Sequence, residues 1–196
     1  MTLAKALVPS QSLLTRALMV LGGSLLVAVA AQINVPMIPV PMTLQTLAIA
    51  IIGLTYGSRM AGLTLAAYLA EGAVGLPVFA GFSFGPLALA GPTAGFLWGF
   101  VAMAWLTGVL VERGLDKGFV KLFLAAFIPG TLLFVPGAAW PLLASKLAWA
   151  SEWGADSFAM VWQYYVAPFL LGDLVKSALA ALVVMGGWAA LNRRKV

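Results

Sequence analysis

Apolar residues run along this chain in long unbroken blocks, and polar residues gather where the blocks end. Blocks of this kind predict membrane-crossing helices rather than the one-sided helices of a water-soluble domain. Six are present: Leu14–Ile33, Leu44–Tyr56, Met60–Ala73, Thr93–Val111, Phe119–Leu143 and Ala167–Leu191. Proline- and glycine-rich stretches, or short polar groups such as "GSR" and "ERGLDKG", separate them. The expected fold class is an all-α integral membrane protein with six transmembrane helices, and residues 1–196 form a single transmembrane domain.

Two blocks are too short. Helices over 44–56 and 60–73 span roughly 20 Å, less than the ~30 Å hydrocarbon core. The sequences that extend them are not polar loops. "INVPMIPVPMT" (33–43) holds three prolines, and "VGLPVFAGFSFGPLALAGP" (74–92) holds four glycines, three prolines and no charge. Irregular backbone at membrane depth is tolerated where protein buries it or where it lines a cavity. Short, Gly/Pro-interrupted segments are also the best sequence pointer to a transporter's substrate site. Both loops are therefore expected to fold inward over a pocket; packing without a ligand is the alternative. A third connection (145–165) carries Trp149, Trp153, Trp162, Tyr164 and Tyr165, and reads as an aromatic interface belt.

Composition agrees. The chain is 63% hydrophobic and 9% charged, against roughly 25% charged in soluble domains. With no cysteine there is no disulfide, thiolate metal site or thiol nucleophile, and with no histidine the commonest base and metal ligand is missing. No metal or cofactor is expected. The net charge of +5 does not imply nucleic acid, because nine of the eleven basic residues fall at one side of the predicted topology. These are Lys5, Arg16, Arg59, Arg113, Lys117, Lys121, Arg193, Arg194 and Lys195. The positive-inside rule then puts both termini in the cytoplasm. The first residues lack a signal-peptide cleavage pattern, so the first block is expected to remain as a span.

Asp173 and Lys176 stand inside the last block, three residues apart and so on one helix face. Counted from Ala167 they lie roughly 9 and 14 Å along the helix. Ionisable groups at that depth face the interior and point to function; a mutual ion pair that only fastens helices is the bland alternative. Thr43 and Gln45 open the second block, Thr43 as a helix cap and Gln45 as an interhelical hydrogen-bond former or a ligand contact. Tyr68 and Glu71 sit near the same end of the third block, and Phe79, Phe82, Phe84 and Phe96 are candidates for apolar walls. Together they describe a site for a small ligand with an apolar body and amide-like groups. No phosphate-binding "GxxxxGK[ST]" occurs, so ATP-driven energy must come from another polypeptide.

The stretches "VPMTLQTLAI" (40–49), "GLPVFAGF" with "GPTAGFLWGF" (75–100) and "APFLLGDLVKSALAAL" (167–182) resemble the BioY family, along most of the chain. Those proteins are the biotin-specific substrate-capture (S) components of energy-coupling factor (ECF) transporters. The resemblance implies a six-helix S-component fold in a prokaryotic plasma membrane, with outer loops closing over biotin. It implies that Asp173 and Lys176 help hold the ureido group, with the region of Thr43 and Gln45 and the loop of Phe79, Gly81 and Ser83 as lid and wall. The implied partners are a membrane scaffold and ATPase subunits, or further copies of the chain. Ser24 and Ala28 fit the small-residue spacing by which the family's first helix docks onto the scaffold. The text "TAGF" (93–96) departs from the glycine-richer family pattern.

Three other readings stand beside biotin capture. An S component for another vitamin, such as thiamine or riboflavin, has the combined motifs against it. An enzyme would need Ser145/Lys146 or Lys176/Ser177, but adjacent helix residues point about 100° apart; no catalysis is expected. A purely structural membrane subunit would bind no ligand.

Overall fold

The computed structural model describes residues 2–7, 12–147 and 153–193, apart from the side chains of Lys5, Leu7 and Asn192. A short helix α1 (Leu3–Leu7) precedes α2 (Leu13–Gln32), which Ser12 caps by accepting the Thr15 N–H at 3.2 Å. The chain then turns back as a two-stranded hairpin, β1 (Asn34–Val35) and β2 (Met42–Thr43), pairing Asn34 with Thr43 and Val35 with Met42. Next come α3 (Gln45–Tyr56) and α4 (Ser58–Ala73), joined at Gly57, whose φ of 83° closes the turn. A loop containing a 3₁₀ turn at Ala80–Phe82 and the single-turn α5 (Gly85–Ala88) leads to α6 (Ala94–Glu112).

The fifth apolar block covers the expected residues as one apolar stretch, Phe119–Ala144, but not as a single helix. It is two helices, α7 (Phe119–Leu132) and α8 (Phe134–Ala144), meeting at Leu133. Pro129 and Pro136 lack the N–H groups that would carry the helix ladder through this region. The last block differs too. Helix begins nine residues early at α9 (Phe158–Val161), passes through a π turn at Trp162–Val166 and continues as α10 (Ala167–Arg193). Asp173 therefore lies roughly 22 Å from the start of continuous helix rather than 9 Å.

Among the described residues, four helical stretches are long and apolar enough to cross a membrane: Leu13–Gln32, Ala94–Glu112, Phe119–Ala144 and Phe158–Leu191. The other two predicted spans exist as α3 and α4, of 12 and 16 residues, short as the sequence implies. Large apolar side chains cover the outside, among them Leu13, Leu18, Leu25, Leu132, Leu171 and Val183. Such a surface suits hydrocarbon and not water, and the protein is a multi-pass membrane protein.

Helix α6 packs against α3, α4, α7 and α8 at the centre, around Ile49, Leu65, Leu97, Phe100 and Met103. Glycine permits the closest approach: a Cβ on Gly108 would strike the backbone of Gly57 and Ser58. Beside it, Glu112 accepts from the Ser58 N–H at 3.0 Å and the Ser58 hydroxyl at 2.7 Å. Arg16 and Arg59 line one groove with Glu112, and the Lys117 ammonium lies 5.7 Å from the Trp188 ring centre, so these basic residues collect at one end of the bundle. Arg194 and Lys195 lie outside the described residues.

Two sequence expectations change. Ser24 and Ala28 are only 2% and 9% exposed. They belong to the seam between α2 and α4, where Ser24 donates to Glu71 Oε1 at 2.8 Å. Small residues here serve packing within the chain, not an outer docking face. In the aromatic connection, Tyr165 is fully buried and donates to the Trp153 carbonyl at 2.8 Å, while Trp162 and Tyr164 stay exposed. Trp149 lies outside the described residues.

The Gly108 contact yields a test. Alanine gains about 1 kcal/mol of helix propensity over glycine, but the clash with rigid backbone costs about 1–3 kcal/mol. Gly108→Ala should lower the thermal unfolding midpoint in detergent micelles; an unchanged or raised midpoint contradicts the close packing.

Candidate ligand cavity

Both irregular loops fold inward. They meet α3, α6, the α7–α8 break and α10 around a cavity of about 490 Å³, within the range of roughly 300–1,000 Å³ typical of small-ligand sites. The hairpin contributes Val40, Pro41 and Thr43, and the second loop contributes Phe79, Ala80, Ser83 and Phe84. The break at Leu133 puts Gly130, Leu133 and Phe134 on the wall, and α10 supplies Phe169, Asp173 and Lys176. Most of the lining is apolar, with Phe96, Phe134 and Phe169 in contact: Phe96 and Phe134 meet edge-on with ring centres 6.3 Å apart, and Phe96 and Phe169 lie at 6.5 Å.

The polar groups concentrate where α10 faces α3 and α7. Asp173 is 6% exposed, and its Oδ2 accepts from the Thr131 hydroxyl at 3.2 Å. Its other carboxylate oxygen lies over Gly130, where a Cβ would collide with it. Lys176 Nζ donates to the Thr43 carbonyl at 3.0 Å. Each charged group is thus held by a neighbouring element rather than by the other, which disfavours a self-contained ion pair. The Thr43–Lys176 bond also pins the hairpin to α10, and Met42 packs over Gly172 beside it.

Gln45 is 4% exposed, and both ends of its side-chain amide are bonded. Its Oε1 accepts from the Thr43 hydroxyl at 2.9 Å, and its Nε2 donates to the Tyr68 oxygen at 2.8 Å. Tyr68 passes the chain on by donating to the Val78 carbonyl at 3.0 Å. Thr43 Oγ1 also accepts the Gln45 N–H at 3.2 Å, but the N-cap position of α3 is Leu44, which offers no side-chain cap.

Of the eight candidate residues, Asp173, Lys176, Thr43, Gln45, Phe79 and Ser83 line the cavity; Tyr68 and Gly81 do not. Tyr68 stands behind Gln45 and meets the Phe79 ring edge-on, with centres 5.4 Å apart at 78°. Gly81, at φ 65°, shapes the turn that carries Phe79 and Ser83. Among the four phenylalanines, Phe79, Phe84 and Phe96 reach the wall, whereas Phe82 is 64% exposed and faces away. Glu71 is committed to Ser24 on another face. Neither Ser–Lys pair is joined: Ser145 donates to the Leu142 and Ala155 carbonyls, and Lys176 to Thr43.

Sequence reading missed Thr131, Gly130, Phe134 and Phe169. "PGTLLF" (129–134) carried the available signal, since a proline, a glycine and a threonine inside an apolar block mark an interrupted helix. It missed Gln32 as well: Nε2 donates to the Phe79 carbonyl at 3.0 Å and Oε1 accepts the Phe82 N–H at 3.1 Å.

Known proteins were compared with this chain. A model described as the BioY family matches residues 4–193. The protein named biotin transporter BioY of Thermotoga maritima is 31% identical over 161 residues, covering 82% of this chain and 88% of that one. Its namesake in Rhizobium etli is 33% identical over 171 residues, covering 83% and 87%. That of Rhodobacter capsulatus is 38% identical over 160 residues, covering 76% and 81%. A crystal structure described as the S-component for biotin from an ECF-type ABC transporter superposes with a TM-score of 0.72, covering 95% of this chain and 96% of that one at 18% identity. At that identity the likeness concerns the fold.

The position of Tyr68 behind the wall gives a prediction. Tyr68→Phe leaves buried Gln45 and Val78 groups without their partner, a loss of about 1–3 kcal/mol. Its unfolding midpoint in detergent should fall while the cavity lining keeps its chemistry. An unaltered midpoint would place the hydroxyl outside the relay.

Proposed function

We propose, from the premise that this chain belongs to the BioY family, that it is the biotin-capturing membrane subunit of a vitamin-uptake system. The observation that carries the reading is one cavity with a buried carboxylate and a half-buried ammonium at one end and aromatic walls along the rest. Biotin has matching parts: a ureido group with two N–H donors and one carbonyl, a fused sulfur ring and an aliphatic arm ending in a carboxylate. Asp173 accepts from a ureido N–H, and Lys176 turns from the Thr43 carbonyl to the ureido oxygen. Such charge-assisted bonds in an apolar surround are the strong kind. Phe96, Phe134 and Phe169 enclose the ring and arm. Thr43 and Gln45 act mainly as supports, because both are already bonded to each other.

In this reading α2, α3, α4, α6, the α7–α8 pair and the α9–α10 rod are six membrane-crossing elements of one domain, 1–196. The basic end faces the cytoplasm, with both termini there, and the cavity opens to the outside of a prokaryotic plasma membrane. The chain is a binding subunit and not an enzyme. Its partners are an ECF scaffold and ATPase subunits, since the sequence has no phosphate-binding loop of its own.

The test is a calorimetric titration of the detergent-solubilised chain with biotin, and with thiamine and riboflavin as controls. Stoichiometric binding of biotin alone is expected. Asp173→Asn should weaken it about 100-fold, the loss of a charge-assisted bond with a buried group left mismatched. Folded protein that ignores biotin, or an Asp173→Asn variant that binds as well as the parent, contradicts the reading.

A further inference from the structure

Helix α2 supplies no residue to the cavity wall, yet its last residue reaches the loop that does. The Gln32 side chain uses its whole amide. Nε2 donates to the Ala28 carbonyl at 3.3 Å, which orients it, and to the Phe79 carbonyl at 3.0 Å; Oε1 accepts the Phe82 N–H at 3.1 Å. One amide therefore bridges both ends of the 79–82 turn.

That turn needs a bridge. Gly81 and Phe82 have φ values of 65° and 58°. The left-handed region is ordinary for glycine, but unfavourable for phenylalanine. The exposed Phe82 ring gains little burial to offset it. What holds the conformation is hydrogen bonding: Gln32 from outside, and within the turn Phe79 N–H to the Ser83 carbonyl at 3.1 Å and the Ser83 hydroxyl and N–H to the Ala80 carbonyl at 2.9 and 3.4 Å.

The two ends differ in how firmly they are seated. Phe79 is 2% exposed, packed on Tyr68 and in the space that the missing side chain of Gly72 leaves. Beyond Phe82 the chain is held less: Phe84 and Leu87 line the cavity mouth while remaining largely exposed. Gln32 thus adds, from a separate helix, a tie between the free half of the loop and its anchored half, beside the local bonds of Ser83.

We infer that Gln32 is a positioning residue, holding the 79–84 turn across the cavity so that a bound ligand leaves slowly. The inference rests on the capture reading above for its ligand, but not for its mechanics. The side chain bonds the loop backbone and lies outside the cavity lining, so it acts on release more than on entry.

The test joins two readouts. In the ligand-free chain, amide hydrogen exchange of Gln32→Leu should quicken about tenfold over 79–84, as expected for two lost hydrogen bonds, and stay unchanged in α6 and α10. In stopped-flow experiments with biotin, the dissociation rate should rise about tenfold and the association rate change less than about twofold. Gln32→Glu keeps the shape and the acceptor for Phe82 but loses both donations, and should fall between parent and Gln32→Leu; it carries the test should the leucine variant fail to fold. Adding Phe82→Gly, which removes the left-handed strain, should reduce the effect of Gln32→Leu. Unchanged exchange over 79–84, or acceleration spread evenly through the helices, overturns the inference. A parent chain that does not bind biotin defeats the capture reading instead, and the exchange data then decide the role of Gln32 alone.

Discussion

A carboxylate and an ammonium on an apolar helix set the terms for the rest of this molecule. Unpaired in hydrocarbon, either group would carry a penalty of several kcal/mol. Asp173 and Lys176 avoid it by facing inward and binding different neighbours: Thr131 of α7 for the carboxylate, the Thr43 carbonyl of the hairpin for the ammonium. Those two bonds connect α10 to both sides of the cavity. Gly130 of α7 serves the same need, because its missing side chain leaves room for the carboxylate. Polar bonding to neutral groups also leaves the pair exchangeable, so that a ligand with N–H and C=O groups can take over the bonds without stranding a charge.

The loops over the cavity obey a parallel logic. Neither has enough regular backbone pairing to hold itself; the hairpin has two residue pairs, and the second loop has a few turn bonds. Each is fastened by a side chain from a helix: the hairpin by Lys176, the 79–84 turn by Gln32. A third strand of the network, from Thr43 through Gln45 and Tyr68 to Val78, links the base of the hairpin to the start of the second loop. The two loops are thus coupled through the buried side chains of Gln45 and Tyr68. Bonds of this kind are strong in a low-dielectric setting, and leaving one partner unpaired is expensive.

Length and composition were enough to place the chain in a membrane, because a bilayer demands long apolar helices and tolerates few charges. The sequence also identified the two irregular loops and the Asp173–Lys176 face, since prolines, glycines and ions stand out against an apolar background. Local pattern marked an interruption in the fifth block but could not place it at Leu133, since whether a proline bends or ends a helix depends on what packs around it. Nor could it show that Ser24 and Ala28 face inward: small residues suit any close helix contact, and only the position of α4 chooses the side. The same holds for Tyr68 behind the wall and Phe82 turned away from it. The pairings of Gln32 and Thr131 were beyond local pattern for a plainer reason. Their partners, Phe79, Phe82 and Asp173, lie more than forty residues along the chain. The chain's chemistry was written in its residue types, but which polar groups meet was decided by the folding of helices and loops around one another.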